Sequence, residues 1–307
     1  MKKNIIALAI ASAIAAPSAM AGAPTVYGKM HLAVEKVEGG DASVNEHDSR
    51  LGVKGSEDLG NGLKAIYKVE FALKTVADGG DETLSQRNTY LGLKGGFGQV
   101  MFGTHDTPTK MIQPSDLFGD TYADVKYFDN GLDDGENRFS DTAMYVSPSF
   151  SGVKLIAAAV LNEEGATDAD KSDWTNVAVT YGSVKKGLYL AAAYQDAGDI
   201  DETVVRVSAQ YKMSDLIASI MYQDNSGDDQ DNGNFTQLQF GYKFGKIMPK
   251  VKYVMANNDT DDSNESGYAV GLDYKLGKKT TAYVYTSDAS DVGGDKVNFS
   301  FGLVHKF

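Results

Sequence analysis

The sequence predicts an all-β chain, a 16-stranded antiparallel transmembrane β-barrel. Three observations lead there. Apolar and polar residues alternate with period two along the chain after its first segment, the signature of strands with one apolar face. Seven short turns alternate with eight long, Asn/Asp/Gly-rich loops, which requires sixteen strands. Lysine and arginine recur in mid-strand on the polar face, which is expensive in a dry core and natural beside water. A ring of sixteen strands leaves an interior too wide for side chains to fill, so the lumen must be wet.

In chain order, MKKNIIALAIASAIAAPSAMA (residues 1–21) comes first, with two lysines, an apolar run from Ile5 to Ala16, and Ala19-Met20-Ala21. It has the form of a secretory signal peptide cleaved after Ala21, and its apolar run is too short for a membrane anchor. The barrel domain is then 22–307. The first strand places Val26, Gly28, Met30, Leu32 and Val34 against Tyr27, Lys29, His31, Ala33 and Glu35. The alternation continues through Leu63 to Leu73, Val205 to Lys212, Gln237 to Phe244 and Tyr268 to Leu276.

Short turns are predicted at 57–62, 94–98, 147–152, 183–187, 212–216, 244–249 and 276–280. Long loops fall near 38–46, 76–84, 103–137, 162–171, 197–201, 224–233, 258–265 and 288–295. Tyr27, Tyr67, Phe71, Tyr211, Tyr242, Phe244, Tyr268 and Tyr274 stand near strand ends, as aromatic girdles at membrane interfaces would. The closing strand VNFSFGLVHKF carries Val297, Phe299, Phe301 and Leu303 on one face and must pair with the first strand to leave no open edge.

The 307-residue chain has a net charge of −13; without residues 1–21 it keeps 27 basic and 42 acidic side chains, or −15. That balance excludes nucleic acid as a partner. The absence of cysteine excludes disulfides and thiolate metal sites.

Three stretches carry a family likeness: SRLGVKGSEDLGNGLKAIYKVEF (49–71), RNTYLGLKGGFGQVMFGTHDTPTK (87–110) and the closing GLVHKF (302–307). Taken with the leader, the chain resembles the general diffusion porins of Gram-negative outer membranes, especially their gammaproteobacterial branch. The resemblance covers the whole chain after residue 21. It implies an outer-membrane homotrimer, one pore per subunit, and a long third extracellular loop folded into the lumen. It also implies that Phe307 is a recognition signal for the outer-membrane assembly machinery.

Spacing independently singles out 103–137 as the longest connection, with eight acids against Lys110 and Lys126. Its apolar residues, among them Ile112, Leu117, Phe118 and Phe128, provide area to pack against something. Of its acids, Asp106, Asp116, Asp120 and Asp124 are the constriction candidates. Asp116 and Asp120 lead, because PSDLFGD stands where similar porins carry the loop tip.

The expected basic wall is Lys29, Arg50, Lys54, Arg87 and Arg138. Parity turns Lys29, Arg50, Lys54, Lys64 and Lys68 inward, and Arg50, Arg87 and Arg138 match the family's wall arginines in motif position. Arg87 conflicts with strict alternation, being in phase with Leu91 and Leu93, so either a bulge shifts the phase near Asn88 or Arg87 sits at the rim. Thr104 stands where similar porins usually have arginine.

The implied function is passive diffusion of small hydrophilic solutes and ions, with a mild cation preference and no cofactor. The alternative is a substrate-specific porin for oligosaccharide or phosphate. Catalysis is not expected, since His31, His47, His105 and His305 are scattered and form no acid-base pair with a nucleophile. The Asp-rich loops do not form an EF-hand, because aligning Gly233 with its glycine puts Gln239 where a bidentate Glu is needed. No metal site is expected. Outer-membrane lipid and lipopolysaccharide are the expected surroundings, with divalent ions bridging acidic loops to lipopolysaccharide phosphates.

Overall fold

The computed structural model describes residues 22–76, 83–128, 132, 135–161, 174–196, 202–227, 232–260, 262–292 and 294–307. The predicted leader and its predicted cleavage point lie outside these residues, as do Asp129, Asp133 and Asp134. The strands are β1 (Thr25–Val37), β2 (Ser43–Glu46), β3 (Arg50–Gly60), β4 (Leu63–Leu73), β5 (Leu84–Gly95), β6 (Gly98–Asp106), β7 (Arg138–Val146), β8 (Val153–Val160) and β9 (Thr175–Gly182). They continue as β10 (Gly187–Asp196), β11 (Thr203–Met213), β12 (Leu216–Ser226), β13 (Gly233–Tyr242), β14 (Ile247–Asn258), β15 (Ser263–Lys275), β16 (Thr280–Asp288) and β17 (Lys296–Lys306).

All are antiparallel in one closed sheet. The short β2 lies within the first predicted long loop. It pairs with β1 beyond the β1–β3 pairing, Leu32 opposite Glu46 and Lys29 opposite Arg50, so β2 and β3 are one spanning strand broken at His47–Ser49. Asp48, at φ 52°, turns that break. Sixteen spanning strands result.

The ring closes between β1 and β17, with Leu32 opposite Leu303 and Val34 opposite Phe301. The last step is reciprocal: Gly28 N–H donates to Phe307 C=O and Phe307 N–H to Gly28 C=O, both at 3.1 Å. Gly28 is required there because a Cβ would overlap the Phe307 ring and sit 2.7 Å from the Arg50 carbonyl oxygen.

The outer face is apolar and exposed, with Leu91, Phe102, Leu155, Val207, Phe240, Val270 and Phe301 all uncovered. Water would not tolerate such a surface, whereas hydrocarbon does. Tyr211, Tyr242, Phe244, Tyr268 and Tyr274 are exposed in this belt. Tyr27 is not among them, since its hydroxyl donates to Glu70 at 2.7 Å on the inner face; its parity with Lys29 outweighs its position at a strand start.

The buried apolar residues form two clusters, both where the 107–137 connection meets the inner wall. Phe118, Ala123, Val125, Phe128 and Leu132 pack with Met221, Phe235, Val254, Ala269, Tyr283 and Tyr285. Ile112 packs among Met101, Met144, Ile156, Tyr189 and Ala191. Full burial of one such side chain contributes about 1.5–3 kcal/mol, so these contacts hold the connection against the wall. The same stretch of wall is also polar: Gln195, Gln210, Gln223, Gln237 and Gln239 are buried beneath the connection. Both side-chain polar atoms of Gln237, and those of Ser208 and Ser219, lack a hydrogen-bond partner.

Candidate functional site

The long connection leaves β6 through a short helix, α1 (Pro108–Met111), capped by Thr107, whose side chain accepts from Lys110 N–H. It crosses the lumen on hydrogen bonds to distant strands. Ser115 N–H donates to Gln210 Oε1 at 2.8 Å and Leu117 N–H to Gln239 Oε1 at 2.7 Å. A single 3-10 turn at Val125–Tyr127 follows, capped by Asp124.

Three cations of the wall anchor it. Lys252, wholly buried, binds Asp116 at 2.7 Å and the Ala123 carbonyl at 2.6 Å. Lys250 binds Asp273 at 2.8 Å and the Leu117 carbonyl at 2.5 Å. Arg206, also wholly buried, meets Glu136 at 2.8 Å, Gln223 and the Thr109 carbonyl. Sequence reasoning did not select Lys250, Lys252 or Arg206. The available signal was an inward parity in mid-strand, which in a barrel means a charge facing the lumen.

The predicted acids do not form one group. Asp120, at φ 69° on the tip, reaches Lys29 at 2.5 Å and Arg50 at 3.4 Å, and its side chain keeps 37% exposure. Asp116, with 7% exposure, is covered on Lys252 instead of opening to the lumen. Asp124 folds back into the loop, accepting from Asp120 N–H at 2.5 Å. Asp106 sits at the root, paired with Arg138 at 2.7 Å and bonded to Asn88.

Of the predicted cations, Lys29, Arg50 and Arg87 come together around Asp48, which also contacts each of them. Arg87 additionally donates to Glu70 at 3.1 Å, which Lys68 meets at 3.2 Å. The phase conflict at Arg87 is resolved by a bulge: Val69 faces Thr89 but Phe71 faces Gln86, so Glu70 opposes two residues and Arg87 turns inward. Lys54 stands apart, exposed, with its ammonium 4.9 Å from the Tyr27 ring centroid. Arg138 remains at the loop root with Asp106. Thr104, in the departure from the family pattern, accepts from Gln86 Nε2 at 2.8 Å.

Burial works against ionisation of Asp120, but Lys29 and then Arg50 outweigh it and hold its carboxyl well below the usual range. Burial, then the charge of Asp116, pushes Asp124 up to about 6. Burial likewise pushes Glu136 up to about 7, against the pull of Arg206 and Lys110. Between the tip and the wall lies a space of about 290 Å³ lined by Lys29, Asp120, Lys250, Asp273, Tyr283 and Lys306. Acid and base are in contact along this narrowing, so each screens the other, and the arrangement can sort solutes by size more strongly than by charge.

The family model described as Gram-negative porin matches residues 7–293. A major outer membrane protein P.IB of Neisseria meningitidis serogroup B is 30% identical over 347 residues, spanning 100% of both chains. Among solved structures, Salmonella typhi OmpF in complex with daunomycin superposes with a TM-score of 0.75 at 15% identity, covering 93% of this chain and 98% of that one. The trimer form of Vibrio cholerae OmpT gives 0.71 at 21% identity, covering 94% and 100%.

Proposed function

The chain belongs to the Gram-negative porin family, and on that premise we propose that its pore prefers cations weakly over anions. As a porin it passes solutes across the outer membrane by passive diffusion and performs no chemistry, and the trimer form of the superposable OmpT supports reading it as a homotrimer. The observation that carries the selectivity reading is the exposure of Asp120 at the loop tip, while Asp116 is covered by Lys252. Contact with Lys29 and Arg50 blunts the Asp120 charge; two charges 4 Å apart interact by about 1 kcal/mol in water and about 4 kcal/mol at an effective dielectric of 20. The preference is therefore mild.

Reversal potentials under a salt gradient in a planar bilayer test it. Cation preference is expected in the parent, and Asp120→Asn should reduce it more than Lys54→Gln increases it. Anion preference in the parent would overturn the reading.

The loop's carboxyls add a pH dependence. Asp124 and Glu136 titrate near 6 and 7 in the docked loop, above their ordinary values of 3.8 and 4.5. The docked loop therefore holds protons that a released loop would shed. The contribution of these two groups to docking is full at about pH 4 and is lost as pH rises through 6 to 7, whereas Asp120, held below its ordinary range by Lys29 and Arg50, supports docking only above about pH 4. Mean conductance and its noise should be greater at pH 8 than at pH 5, and Asp124→Asn should flatten the change. Equal traces at the two pH values in the parent would contradict this.

Residues 1–21 read as the export signal, and Phe307 as the mark presented to the assembly machinery. The acidic long loops suit divalent bridging to lipopolysaccharide, and the apolar belt suits outer-membrane lipid.

A further inference from the structure

At the short-turn end of the barrel, strand after strand carries an inward lysine: Lys94 ending β5, Lys154 opening β8, Lys212 ending β11, Lys243 just past β13, Lys275 ending β15 and Lys306 ending β17. Their neighbours Leu93, Leu155, Tyr211, Phe244, Tyr274 and Leu303 are exposed on the outer face, so alternation turns the six lysines toward the mouth. Deeper in the lumen, Lys29, Arg206, Lys250 and Lys252 each meet a carboxylate. Among the described residues, none of the six does.

The sequence supplies little to neutralise them. The acids of the short turns are Glu57, Asp58 and Asp215. Asp58 accepts from Gly60 N–H at 2.8 Å and Asp215 from Ser214 Oγ at 3.2 Å, neutral contacts that leave the excess a matter of number, three carboxylates against six lysines. Lys243 and Lys212 flank one turn, where Lys243 N–H donates to the Asp215 carbonyl at 2.9 Å. The ladder ties the ring together: Lys306 N–H donates to the Lys279 carbonyl at 2.9 Å, and Lys275 N–H to the Lys246 carbonyl at 2.8 Å. Lys306 also lines the 290 Å³ space below the loop tip, where Lys29 and Lys250 are already paired with Asp120 and Asp273, so the uncompensated charge is confined to the mouth.

We propose that this mouth is a binding site for multivalent oligophosphate anions arriving from the periplasm. Short turns are periplasmic in an outer-membrane barrel and long loops extracellular, so the inference rests on the porin reading. A single exposed ammonium holds a phosphate weakly in water, whereas several converging on one opening act together and lose their grip as salt rises. The long connections at the opposite end are rich in Asp and Glu by sequence, and that charge repels the same anion. Binding is therefore one-sided.

Inorganic tripolyphosphate tests this on the reconstituted trimer in a planar bilayer of known insertion side. At 0.1 M salt, periplasmic addition should reduce the current at roughly tenfold lower concentration than extracellular addition, and 1 M salt should largely abolish the effect. The variant Lys212→Gln/Lys243→Gln/Lys275→Gln/Lys306→Gln should lose the sidedness. Equal potency from both sides, no block at low salt, or unchanged block in the variant would overturn the proposal. The salt and sidedness arms need only the parent protein, so a variant that fails to assemble leaves the test decisive. Absence of any conductance in the parent would instead count against the channel reading.

Discussion

Lys252→Met is expected to unseat the lumen loop and raise single-channel conductance. The substitution leaves the Asp116 carboxylate buried without its partner and removes the bond to the Ala123 carbonyl. Breaking one side of a buried pair costs about 3–5 kcal/mol. That is comparable with what one or two buried apolar anchors of the loop contribute, at about 1.5–3 kcal/mol each. The wall strands keep their backbone ladder, so the unheated trimer band on a gel should persist while conductance increases. Removing both charges, in Lys252→Met/Asp116→Leu, should return conductance toward the parent value, because no charge is left stranded. A single variant with parental conductance would show that the apolar clusters alone hold the loop.

The seam between β1 and β17 predicts the second large effect. Deleting Phe307 removes both reciprocal bonds to Gly28, and Gly28→Val drives a side chain into the Phe307 ring and the Arg50 carbonyl. The rest of the β1–β17 ladder remains, but its last step frays and leaves the Gly28 N–H and C=O without their partners, at several kcal/mol each where lipid replaces water. Both variants should give little heat-modifiable trimer. For the deletion, the few channels that insert should conduct normally, since Phe307 lies outside the lumen lining. Normal yield with altered conductance would contradict this account.

Most of the barrel was legible because a strand's side-chain period is two, and one face must meet lipid while the other meets water. The same parity identified Lys29 and Arg50, which the structure brings together on Asp48 and Asp120. It failed at Arg87, where a bulge adds a residue to β5 opposite Glu70, and such an insertion has no period of its own. It also failed at β2, four residues of strand inside a polar loop, held by pairing with β1 and by no pattern of their own.

The loop's own sequence announced that it would pack, but not on what. Asp116 and Lys252 are 136 positions apart, and nothing local couples them. Their pairing follows from the curvature that brings β14 opposite the loop tip. This is why Asp116, grouped with Asp120 by sequence, ends on the other side of the loop from it.

The glutamines and serines beneath the loop separate two properties that most folds tie together. A core that is covered in the native state is ordinarily ruined by uncovering it, because its surface is apolar. Here the covered wall carries, beside the apolar residues the loop packs on, amide and hydroxyl groups, some still lacking partners, that water would satisfy once the loop left. Aperture is thus set by a removable insert and not by the cylinder that carries it. Loop length and tip composition can be redesigned, or drift over generations, without renegotiating the sixteen-strand scaffold.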